Sequence, residues 1–86
     1  MPLQTLQEVA RELRGMTNLD GDAAVEAALR LQAQLKQSHE LAEKVPHVVW
    51  HWLADADIRA RDAEYGHRQT ALLEQAVAEM EATGAI

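Results

Sequence analysis

His47 and His51 stand four residues apart, and the same step carried outward reaches Glu43 on one side and Asp55 on the other. Residues at that spacing project from one face of a helix. Imidazole and carboxylate groups arranged in this way hold zinc or nickel when a third ligand stands in register. Pro46 interrupts the ladder between Glu43 and His47, which leaves His47, His51 and Asp55 as the candidate ligands. The competing reading is a pair of surface histidines without a metal.

A second group of charges follows at once. Asp55, Asp57 and Asp62 surround Arg59 and Arg61, and alternating carboxylates hold magnesium in enzymes that transfer phosphoryl groups. The same residues serve equally well as helix caps and ion-pair partners. No nucleophile stands beside a base, because Ser38 is the only serine and cysteine is absent. We therefore expect no catalytic residues, no enzymatic activity and no cofactor. The acidic stretch from Asn18 to Glu26 places its glycine wrongly for a calcium loop, so capping explains it better.

His39, followed by Glu40, Leu41 and Lys44, resembles over these few residues the phosphotransfer histidine of helical-bundle proteins. The small residues that such proteins place after the histidine and the lysine are missing. A histidine on a helix surface is the plainer reading.

Trp50 is the most informative single residue. At 100° per residue, Val45, Val49, Trp52 and Ala56 share one face of a helix, and Trp50 falls about 130° from its centre. His47, His51 and Ala54 lie beside it. A large ring next to imidazoles on a second face is a common composition for contact surfaces, where an aromatic buries much area at little entropic cost. The alternative is a central helix covered on both sides by its own chain.

These residues need helices to position them, and the composition supplies helices. Phenylalanine is absent and isoleucine rare, while alanine, leucine, glutamine and glutamate abound. Leu3, Leu6, Val9, Ala10, Leu13 and Met16 mark one stripe of a helix over about 2–14, opened by Pro2 and ended by Gly15. Met16 to Gly21 reads as a turn. Asp22 is the N-cap candidate of a second helix over about 22–45, ended by Pro46. Along it Ala24, Ala28, Leu31, Leu35, Ser38, Ala42 and Val45 follow a heptad spacing that suits a close partner helix. Val25, Leu29 and Leu41 flank this seam and call for a second neighbour. A third helix covers about 47–56, with a bend over 57–62. A fourth, capped by Asp62 and stopped by Gly84, covers about 63–83. The expected fold is all-α, one domain of three to four antiparallel helices over 1–86, completed by dimerisation.

Size and charge narrow the function. A chain of 86 residues without cysteine has little core and no staple, and such chains commonly gain burial by association. A net charge of −6 repels phosphate backbones, and no basic stripe emerges, so nucleic acid is not an expected partner. Neither is a membrane, since no apolar run is long enough to span one. With no leader-like start and no cysteine, the expected compartment is the cytoplasm.

The reading that results is a small acidic helical interaction module: an adaptor, escort, inhibitor or assembly subunit that forms a homodimer, with another protein as a further candidate partner. Its expected contact residues are Trp50, His47, His51, Trp52, Leu31 and Leu35. The alternative is a metal-binding protein or metal-dependent enzyme using His47, His51 and the Asp55–Asp62 carboxylates.

Overall fold

The computed structural model describes residues 3–83, and within them the fold is all-helical with no strand. Six helices follow one another: α1 (Leu6–Met16), α2 (Gly21–Lys36), α3 (His39–Lys44), α4 (His47–Ala54), α5 (Ala56–Arg61) and α6 (Ala63–Thr83). The count exceeds the three or four expected because the expected 22–45 helix is divided and the segment expected to bend is set off as a helix of its own.

The first division splits the expected 22–45 helix. Its backbone leaves helical angles at Ser38 (φ −120°, ψ 101°) and resumes at His39. Serine offers the backbone an alternative hydrogen-bond partner and weakens a helix interior. The second division falls at Asp55 (φ −97°, ψ 17°), so α4 stops at Ala54 instead of about residue 56, and the segment expected to bend forms α5. Val45 is extended (φ −73°, ψ 126°), as a residue before proline is pushed to be. Asp62 is extended as well, and its carboxylate accepts the Tyr65 N–H at 3.0 Å, the cap that starts α6.

Three boundary expectations are corrected. Helix α1 passes through the exposed Gly15 to Met16. Its start is set by a capping box that the apolar pattern hides. Thr5 Oγ1 accepts the Glu8 N–H at 3.2 Å, and Glu8 accepts the Thr5 N–H at 3.0 Å, so two otherwise unpaired donors are satisfied. Helix α2 begins at Gly21, whose φ of 59° suits glycine; Asp20 holds the N-cap position, and Asp22 lies in the first turn. The expectations for Pro2 and Gly84 lie outside the described residues.

One continuous core holds the helices together. Val9, Ala10, Leu13 and Met16 of α1 meet Leu73, Ala76, Val77 and Met80 of α6, joined by Ala28, Leu31 and Leu35 of α2 and by Val49, Trp52 and Leu53 of α4. Helix α4 packs on both α2 and α6, and so does α5. Burial of this apolar surface is the main force ordering the short helices, since pieces of six to eight residues are unstable alone.

Candidate functional site

Three of the expected contact residues turn inward. Leu31 is 3% exposed and Leu35 is fully buried, so the heptad seam is spent within the chain, mainly against α4 and α5. Trp52 is also buried. Trp50 is half-buried and packs on the edge of the core, while His47 and His51 are exposed beside it. The two sides of α4 are therefore real, with the outer one only partly covered.

The carboxylates after α4 diverge. Asp55 turns toward α6, where it accepts hydrogen bonds from Tyr65 Oη at 2.7 Å and Gln69 Nε2 at 2.9 Å. Asp57 faces Arg61 across 3.9 Å on the surface of α5, and Asp62 caps α6. Among the described residues, no group of three His, Asp or Glu side chains is arranged to hold a metal ion. The ladder of His47, His51 and Asp55 thus lacks the convergence that a zinc site needs. His39 is a surface residue at the start of α3, with Nε2 2.9 Å from Glu43.

What the structure does assemble is a polar network around Arg59. Its guanidinium lies over the Trp52 ring, 3.7 Å from the centroid. Nη1 donates to the Trp52 carbonyl and to Gln69 Oε1, the latter at 2.8 Å. Gln69 is thus a bridge: its carbonyl accepts a hydrogen bond from Arg59 while its amide donates to Asp55 and, at 3.2 Å, to Tyr65 Oη. Trp52 Nε1 in turn donates to Thr70 Oγ1 at 3.1 Å. Gly66, opposite, lets α6 approach the Arg59 stem; an added Cβ would stand 3.4 Å from the Arg59 Cβ.

The electrostatics follow from these contacts. Donors from Tyr65 and Gln69 hold the Asp55 carboxyl below its ordinary range, and the hydrogen bond it donates to Asp55 pushes the Tyr65 phenol up. Burial lowers the Arg59 pKa, and the nearby charges of Asp55 and Asp57 offset this only in part.

Arg59 and Trp52 also form part of the floor of a groove of about 590 Å³. The end of α1 and the start of α2 form one wall, with Met16, Leu19 and Ala24. The first half of α6 forms the other, with Ala63, His67, Thr70 and Ala71. Gln69 recurs at helical spacing with Leu73, Ala76, Val77 and Met80 and shares their buried stripe of α6. A buried amide needs partners, and that was the available signal. Nothing in the spacing of Arg59 predicts its stacking on Trp52.

Comparison with protein-family models, with curated proteins and with solved structures finds no match to this chain.

Proposed function

We propose that the protein is a non-enzymatic interaction module whose first partner is a second copy of itself. The observation that carries this reading is Leu29, which is 60% exposed. It shares a stripe of α2 with the half-buried Val25, four residues before it, on the flank of the seam where the sequence asks for a second neighbour. Leu41, also beside the seam, is buried within the chain. Leu29 has no such cover. Leu72 on α6 is 55% exposed as well, and Trp50 with His47 and His51 offers a third, mixed surface.

Single exposed leucines are ordinary on soluble proteins. Several on an 86-residue chain with so small a core are consistent with burial completed by association. The side chains that carry charge are spread over caps and surface pairs, and the negative balance suits a protein partner better than nucleic acid. A soluble, cytoplasmic setting belongs to the same reading; among the described residues, no helix is long and apolar enough to cross a membrane.

The deciding experiment is the mass in solution by light scattering. Twice the 9.6 kDa of one chain is expected for the native protein, and a single-chain mass for Leu29→Glu with its helical circular dichroism retained. A native protein that remains a single chain at high micromolar concentration overturns self-association.

A further inference from the structure

The groove over Arg59 combines three properties that the network itself does not use. First, among the described residues Arg59 finds hydrogen-bond partners for Nη1 only. No buried side-chain nitrogen or oxygen among the described residues lacks a partner, so the two remaining donor atoms, Nε and Nη2, stay accessible. The guanidinium is held in place by the Trp52 ring, the Trp52 carbonyl and Gln69, which preorganises those free donors. Second, the Thr70 hydroxyl accepts from Trp52 Nε1 and keeps its own proton to donate. Third, the surrounding walls are mostly small and apolar: Ala24, Ala56, Ala60, Ala63 and Ala71, with Leu19 at 42% exposure.

We propose that this groove binds a monocarboxylate with an apolar body, the carboxylate meeting Arg59 Nε and Nη2 and the body lying along the alanine-lined walls. Arginine presents two parallel donors that match a carboxylate. A groove of about 590 Å³ is of the size that takes small organic ligands. The remaining charged groups that line it narrow the class. Asp20 and Glu74 are exposed on its border, and they oppose a second negative charge. His67 also borders it and adds a donor when protonated. One anionic group at Arg59 and an otherwise uncharged body satisfy all of these constraints; a dicarboxylate or a phosphate dianion does not. The free face of Arg59 also accounts for a half-buried cation that has no ion pair among the described residues and only the more distant charges of Asp55 and Asp57, an arrangement that costs stability unless something else uses it.

The test is a nitrogen–proton NMR titration of the full chain with octanoate, with octanol, octylamine and octanedioate as controls. Octanoate is expected to shift the Trp52 indole N–H and the Thr70 amide saturably. Octanol and octanedioate are expected to bind at least about tenfold more weakly, and octylamine not to bind. Arg59→Gln should weaken octanoate by a similar factor. Arg59 also supports the fold, so Ala71→Leu, a change at an exposed position of the wall, serves as a second variant that obstructs the groove and leaves the network intact. Octanoate that produces no shift at Trp52 and Thr70 up to millimolar concentration overturns the proposal. So does octanol binding as tightly as octanoate, or an Ala71→Leu protein that binds unchanged.

Discussion

The Tyr65 hydroxyl donates to the Asp55 carboxylate at 2.7 Å, and this bond ties α6 to the break between α4 and α5. Asp55 is the residue at which the backbone turns from one short helix into the next. Holding its side chain from a long helix fixes the angle of that turn. The bond has a pH signature. The Asp55 pKa is lowered below its ordinary 3.8, so the folded state prefers the ionised form. Its contribution is complete above that ordinary value and is lost as pH falls through the lower folded value. The Tyr65 pKa is raised above 10.0; its contribution is present below pH 10 and disappears as pH rises through the raised value. Tyr65→Phe is expected to lower stability in urea at neutral pH. The difference from the native protein should shrink at strongly acidic pH, where Asp55 is protonated. An equal difference at both pH values would show that the hydroxyl acts other than through the Asp55 charge.

Two leucines of α2 separate the fold from the proposed association. Leu35 is fully buried and Leu29 is 60% exposed. Leu35→Ala removes atoms from a packed core and is expected to cost about 2–5 kcal/mol, read by chemical denaturation. Leu29→Ala is expected to leave the single chain nearly unaffected and to weaken the proposed dimer, so its effect on the unfolding midpoint should grow with protein concentration. A Leu29→Ala effect that is the same at all concentrations contradicts a role for this residue in self-association.

The legible part of the molecule was its apolar periodicity. The stripe of α1, the extent of α6 and the cap at Asp62 were readable because long amphipathic helices repeat their signal over many turns. The breaks at Ser38 and Asp55 were not. Each is decided by one polar residue inside a stretch that otherwise keeps a helical pattern, and tertiary packing settles whether the backbone bends there. The Arg59 network was hidden for a related reason. Arg59 reaches Trp52, seven residues earlier, and Gln69, ten residues later. Seven residues span two helical turns, one face but about 10 Å apart, and Gln69 lies on another helix; the break at Asp55 and the packing of α5 on α6 close both distances.

Three glycines give predictions of opposite sign. Gly15 lies inside α1 with nothing near an added Cβ, and Gly66 lies inside α6 with the Arg59 Cβ at an ordinary 3.4 Å. Gly15→Ala is expected to stabilise by about 0.5–1 kcal/mol through helix propensity. Gly66→Ala should gain less, because the Arg59 stem must accept the contact. Gly21 has φ of 59°, where a side chain meets the backbone, so Gly21→Ala is expected to cost about 1 kcal/mol. Thermal melts of the three variants check the order Gly15→Ala above Gly66→Ala above native above Gly21→Ala.

Arg14 and Glu81 join the end of α1 to the end of α6 through two hydrogen bonds, at 2.7 Å from Nε and 2.6 Å from Nη2. The pairing raises the Arg14 pKa and lowers that of Glu81. Both side chains are about half exposed, so water and salt screen the pair. Its geometry is bidentate, the form in which a surface pair has most effect. Glu81→Gln keeps one acceptor and the size of the side chain while removing the charge. The variant should be slightly less stable than the native protein at low salt and indistinguishable from it at molar salt. A loss that persists at molar salt would mean that the shape of the pair, and not its charge, holds the two helix ends together.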